Sequence, residues 1–321
     1  MGAGFWPWGR RSRSVELPGR LLPSTIAPLP DHLAPRFLRM EGMRIRYLDV
    51  GSGPAVILLH GMGHDLLGWR YNIMPLVRAG FRAIALDLPG FGMSDAPASV
   101  EPEAYQQFVL SWMDMHCLPA ASLVGNSMGG ALAANIASAA PDRVSHLLLV
   151  SPAGFGRELA WWFRLLGVDF LAPILPRVSR LGVRQFLGQV YADRKLIDET
   201  EVERLYQEAQ RPEVSDTLRR MGKMTLGVGG VRPDYLIADE AASQIRATTL
   251  VVWGTKDRIL PVKHSGRAAA LIPDAELELL PGIGHCPQME AAEQFNQRLI
   301  AHLARPGFAA RTREREKSGA A

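Results

Sequence analysis

Cysteine is nearly absent: Cys117 and Cys286 are the only two in 321 residues. Two thiols cannot brace a chain of this size with a disulfide framework, and such sparing use is compatible with a reducing compartment, so a cytoplasmic protein is expected. Long apolar runs are missing too, since no stretch reaches the roughly 18 residues that a bilayer-spanning helix needs. The leader MGAGFWPWGRRSRS carries its basic residues after its aromatics, with no sufficient apolar run behind them, which does not fit a secretory signal. No G-x-G-x-x-G follows a strand and no P-loop is present, which disfavours nucleotide binding. Zinc-finger and RNA-binding signatures are also lacking. No metal and no organic cofactor is expected.

Charge of one sign is in slight excess, with a net charge of +4 and a pI near 9.3. The excess gathers at the ends, in Arg10, Arg11, Arg13 and in Arg311, Arg313, Arg315, Lys317. Such a distribution reads as solvated tails and not as a nucleic-acid groove. Phe5, Trp6 and Trp8 beside three arginines have the composition of a weak interfacial anchor, so weak peripheral membrane contact stays open. A disordered Pro- and Arg-rich leader accounts for the same residues. Nothing in the pattern bears on oligomeric state.

What is present is an ordinary globular composition, 47% hydrophobic and 21% charged. Residues 1–35 are rich in proline and poor in periodicity, which predicts a flexible arm; residues 307–321 read as a charged tail. Between them, short aliphatic or β-branched runs alternate with amphipathic segments, the pattern of βαβ units in a largely parallel sheet. Strands are predicted at 43–50, 55–60, 82–88, 121–126, 146–151, 248–254 and 275–280. Helices are predicted at about 66–79, 102–116, 128–140, 263–272 and 290–304. The alternation stops after Ser151 and resumes at Thr248. A core of 36–154 and 246–306 is therefore expected, with residues 155–245 as a helical insertion; within it DETEVERLYQEAQ (198–210) reads as a charged surface helix.

Gly125-Asn126-Ser127-Met128-Gly129 lies between an aliphatic strand and an Ala-rich helix. A serine on a strained strand-to-helix turn needs small residues two positions either side, because neighbouring backbone must pass close by. Ser127 is thus a candidate nucleophile; an N-capping serine in a Gly-rich turn is the plain alternative. Acyl transfer also needs donors for a developing oxyanion, and the N–H groups of Met62, in His60-Gly61-Met62-Gly63, and of Met128 are the expected pair. His60 reads as a structural hydrogen-bonder. A base and its orienting acid should follow the nucleophile, and Asp257 in WGTKD and His285 in LPGIGHCPQME both sit just beyond strands. Asp87 and Asp95 read as parts of a turn, and His264 and His302 as surface residues of helices.

HGMG, DLPGFGMSD, GNSMGG, WGTKD and GIGHCPQME resemble, in order and separation, the α/β-hydrolase superfamily over residues 37–305. The resemblance implies an α/β fold with a mostly parallel eight-stranded sheet, flanking helices and a helical cap over the site. It also implies a serine hydrolase acting through an acyl-enzyme. GNSMGG is further similar to the meta-cleavage-product hydrolases, which cleave carbon–carbon bonds. Those enzymes carry Trp beside the histidine, where this chain has Cys286, and use a cap arginine, for which Arg204 is a loose positional match. A carboxylesterase or lipase-like activity is therefore expected ahead of carbon–carbon cleavage, with a non-catalytic ligand-binding module as a third reading and transfer of the acyl group to another acceptor left open.

The segment ELAWWFRLLGVDFLAPILP (158–176) holds more apolar surface than a solvated connector carries. Trp161, Trp162 and Phe170 are accordingly candidates for contact with a small, apolar ester substrate, with packing of the cap onto the core as the alternative.

Overall fold

Alternate side chains of strand β3 (Ala55–Leu59) serve two separate cores. Ile57 and Leu59 join one apolar cluster while Val56 and Leu58 join the other. The same period of two splits β6 (Val144–Val150) and β9 (Thr248–Gly254), where Leu147 and Val251 face one cluster and Leu148 and Val252 the other. A sheet buried on both faces reads as continuous aliphatic runs, and helices must cover each side.

In this computed structural model the described residues are 33–164 and 178–307. The remaining strands of the main sheet are β1 (Arg36–Met40), β2 (Met43–Val50), β4 (Arg82–Leu86), β5 (Ala121–Asn126) and β10 (Glu276–Leu280). Their order is β1-β2-β4-β3-β5-β6-β9-β10. Pairing is parallel from β4 through β10, while β2 is antiparallel to both its neighbours. On one face lie α2 (Pro102–Met115) and α3 (Met128–Ala139), whose Trp112 and Ile136 are fully buried. On the other, α1 (Arg70–Arg78) contributes Ile73 and Leu76, and α10 (Ala292–Leu303) contributes Phe295 and Leu299. The chain has an α/β-hydrolase architecture with a mostly parallel sheet.

Between β6 and β9 the chain leaves the sheet and forms α4 (Arg180–Val190), α5 (Glu199–Ala209), α6 (Pro212–Thr225), a two-stranded hairpin of β7 (Leu226–Gly227) and β8 (Gly230–Val231), and α7 (Asp239–Ser243). After β9 come α8 (Lys263–Leu271) and the short α9 (Pro287–Glu290).

Four features depart from expectation. Edge strand β1 was not anticipated; its RFLRM carries two arginines in five residues and pairs antiparallel to β2 across a tight Glu41-Gly42 turn, in which both residues have positive φ. The helix expected at 290–304 is broken at Ala291, whose φ of −132° and ψ of 46° separate α9 from α10. α5 is not simply a surface helix, because Glu201 and Glu208 are buried. His264 and His302, expected on the surface, are 4% and 3% exposed. His264 is held there by the Glu158 carboxylate at 2.8 Å. His302 packs its ring edge-on against His146. Residues 1–32 of the arm, 308–321 of the tail, and Phe170 fall outside the described residues.

Candidate active site

Ser127 sits at φ 54° and ψ −115°, a conformation that an L-residue holds only when its surroundings impose it. The imposing contacts involve glycine. A Cβ on Gly125 would lie 2.1 Å from the Gly129 carbonyl oxygen, and one on Gly129 would lie 2.2 Å from that of Leu59. Only glycine permits β3, the end of β5 and the start of α3 to approach so closely. The Ser127 side chain makes no capping hydrogen bond to α3, so the N-cap alternative is not what is observed. Gly61 lies against the same turn, where a Cβ would be 3.2 Å from the Ser127 Cβ. That contact sets Met62 beside the serine, and Met62, Ser127 and Met128 line one cleft. No protein acceptor among the described residues takes the N–H of Met62 or of Met128.

The other candidates arrive from the carboxyl ends of β9 and β10. Asp257 is fully buried at its carboxylate, and its Oδ1 accepts the N–H groups of Ile259 at 2.8 Å and Leu260 at 3.0 Å. Oδ2 is thereby left for the ring of His285, whose Nδ1 is 2.7 Å away. Two backbone donors fix the carboxylate and the carboxylate fixes the ring, so Nδ1 carries the proton and Nε2 is free to act as a base. Ser127 and His285 line a common smaller cavity of about 280 Å³ with Gly61, His64 and Phe186. The structure thus brings Ser127, Asp257, His285, Met62 and Met128 to one edge of the sheet.

His60 is not a competing base. Its Nδ1 lies 2.8 Å from the Gly61 carbonyl and its Nε2 accepts the Leu88 N–H at 3.0 Å. Burial pushes its pKa down to about 4, which keeps the ring neutral. Asp87 accepts the N–H groups of Leu66 and Met93, so DLPGFGMSD is a structural turn, as expected.

Residues that sequence reasoning missed hold the histidine loop in place. The buried Glu290 carboxylate accepts the N–H groups of Gly284 at 3.0 Å and Cys286 at 3.2 Å, on either side of His285, and that of Ala192 in the cap at 2.7 Å. The His285 N–H itself donates to Val190 at the end of α4 at 2.8 Å. Asn126 donates to the His285 carbonyl at 3.1 Å. The base is therefore braced by the cap as well as by the core. Cys286 is buried, and burial raises its thiol well above the ordinary range, so it is neutral packing and not a second nucleophile.

The cleft beside Ser127 has about 950 Å³ of empty space, its open mouth included. Its walls include Leu132, Phe163, Met221, Met224 and Leu260, and among the described residues neither this cleft nor the smaller cavity carries a Lys, Arg, Asp or Glu. Trp161 and Trp162 are not on either wall. Trp161 is 71% exposed, and Trp162 packs against Phe163 and Phe186; among the described residues of that segment, Leu159 and Phe163 are the ones that reach the cleft.

Arg204 is also elsewhere. It pairs with Asp65, 20% exposed at its side chain, and lies 3.6 Å from Glu208. Arg46 joins the group at 2.7 Å from Asp65 and 2.5 Å from Asp87. Burial works against the charge on Asp65, but Arg204 and Arg46 outweigh it and hold that carboxyl below its ordinary range. Burial, and then the charge of Asp65, push Glu208 the other way. Two arginines thus face three carboxyls across the seam between β2, the loops after β3 and β4, and α5.

A strained serine between two glycines, with a carboxylate-held histidine at the same sheet edge, defines a serine hydrolase. Residues 54–292 match the family model described as alpha/beta hydrolase fold, and the chain belongs to that family. It is 36% identical over 272 residues, 83% of this chain and 93% of the relative, to a 2-hydroxy-6-oxononadienedioate/2-hydroxy-6-oxononatrienedioate hydrolase of Comamonas testosteroni. A meta-cleavage product hydrolase of Pseudomonas fluorescens IP01 superposes with a TM-score of 0.72 at 26% identity, covering 84% of this chain and 97% of that one. A membrane phospholipase A superposes with a TM-score of 0.73, also at 26% identity, covering 84% and 86%.

Proposed function

We propose that this chain hydrolyses a carboxylic ester whose acyl group is apolar and uncharged, through an acyl-enzyme on Ser127. His285 Nε2 takes the serine proton as Oγ attacks the carbonyl, and Asp257 stabilises the imidazolium that forms. The N–H groups of Met62 and Met128 receive the oxyanion, each contributing about 3 kcal/mol to the transition state on the usual scale of such donors. The proton then passes to the leaving alcohol, and water reverses the sequence to release the acid. The observation that carries the choice of substrate is the uncharged cleft wall. Arg204, the cap arginine that the meta-cleavage-product resemblance singles out, is committed to Asp65. An acidic substrate would bury its carboxylate there without a partner.

A second reading, hydrolysis of a carbon–carbon bond in a vinylogous diketone, draws more support from the sequence comparisons than the ester does, because the named relative that matches over nearly its whole length acts on such a compound. The same serine, histidine and donors suit both reactions, and the wall composition favours the ester. Turnover of p-nitrophenyl esters from acetate to dodecanoate, beside a ring-fission diketone acid, separates the two. The ester reading predicts kcat/KM that climbs with chain length, each buried methylene contributing about 0.8 kcal/mol, before it levels off, and a loss of that climb in Phe163→Ala. Fast turnover of the diketone acid with slow turnover of every ester would replace it by the second reading.

A further inference from the structure

Two short segments of the cap face two ways. Leu159 and Phe163 of the first, and Leu226 and Val231 of the second, line the cleft. On the outside of the same segments stand Trp161 and Val228, 71% and 80% exposed, the two most exposed large apolar side chains among the described residues. Arg164 ties the segments together, donating to the carbonyls of Leu159 and Val228, each at 3.2 Å. Arg157 donates to the Val231 carbonyl at 3.4 Å, and Arg232 to that of Leu226 at 3.0 Å. All three guanidiniums bond backbone carbonyls, and none has a carboxylate partner among the described residues. Backbone carbonyls fix a guanidinium without cancelling its charge. The outer rim of the cleft is therefore apolar at its tip and positive around it.

We propose that this rim rests on an anionic phospholipid surface, with Trp161 and Val228 at the boundary between headgroups and acyl chains and Arg157, Arg164 and Arg232 against lipid phosphates. An aromatic and an aliphatic side chain flanked by arginines is the composition that interfacial binding uses. A second copy of the chain fits the rim less well, because a two-fold interface sets each patch against itself and would bring the two sets of arginines together. Docking stands apart from the bond cleaved; that the cleft draws its substrate from the surface rests on the apolar-ester reading.

The test is flotation of the full chain with vesicles of phosphatidylcholine alone or mixed with phosphatidylglycerol, beside turnover of dissolved p-nitrophenyl butyrate. The chain floats with the anionic vesicles and far less with the neutral ones. Val228→Asp lowers the bound fraction about tenfold and Arg157→Gln about fivefold, with thermal melting and butyrate turnover unchanged in both. Flotation without any ester turnover keeps the docking surface and removes the ester reading. Absence of flotation overturns the proposal. So does equal flotation of Val228→Asp, which would place the contact elsewhere, or a dimer in solution that Val228→Asp dissolves, which would make the rim an interface between copies.

Discussion

The turn that carries Ser127 and the seam that seats the cap are held by opposite means. Around the serine, three backbone segments approach so closely that no Cβ fits at Gly125 or Gly129. At the seam, Arg46, Arg204, Asp65, Asp87 and Glu208 meet from four parts of the chain, and charge balance decides whether the elements stay together. The contacts of the first are with backbone atoms and involve no titratable side chain. The second depends on which carboxyl is protonated. A nucleophile needs fixed geometry, whereas a cover needs only to close in the right place.

That contrast can be broken from either side. The largest effects belong to the chemistry: Ser127→Ala removes turnover, and Asp257→Asn lowers kcat about 10⁴-fold by favouring the wrong histidine tautomer, both with unchanged melting curves. Near-normal activity of Asp257→Asn would mean that another acid orients the ring. Next comes the turn, where Gly129→Ala pushes a methyl into the Leu59 carbonyl and is expected to cost about 3 kcal/mol or more in denaturant unfolding. At the seam, Asp65→Asn leaves two buried guanidiniums facing one another with less counter-charge, an expected loss of about 3–5 kcal/mol. If the variant is as stable as the parent, charge does not hold the seam.

Smaller effects sharpen the picture. Glu290→Gln keeps one acceptor oxygen but loosens the loop around His285; kcat is expected to fall about tenfold with little change in KM. An equal change in both constants would leave Glu290 as packing alone. Glu208 gives the mildest signal. Its folded pKa is raised above its ordinary 4.5, so the folded state binds more protons than the unfolded one, and stability falls as pH rises from that value through the raised one. Glu208→Gln should flatten this part of the stability curve without lowering it at acidic pH.

The same division explains what could be read from sequence. Strands such as 121–126 and 248–254 were legible because aliphatic runs flanked by glycine and charge leave few alternatives. Ser127, Asp257 and His285 could be singled out as candidates because each stands within a few residues of the end of such a run, where a parallel sheet gathers its loops. Glu290 was not, since its partners are backbone N–H groups, one of them in Ala192 almost a hundred residues earlier. Nor was the burial of α5: Glu201, Arg204 and Glu208 look like an exposed helix until Asp65, Arg46 and Arg70 are placed against them. Trp161 misled for a related reason, because apolar composition marks a segment as important without saying which of its side chains turn inward.

The most direct test of the account is covalent labelling with a fluorophosphonate probe, the modified residue located by mass spectrometry in the parent chain and in His285→Ala. The account predicts a single adduct, on Ser127, formed rapidly in the parent and slowed by orders of magnitude when the imidazole is removed. An adduct on another serine, or labelling of Ser127 that proceeds equally fast without His285, would contradict it.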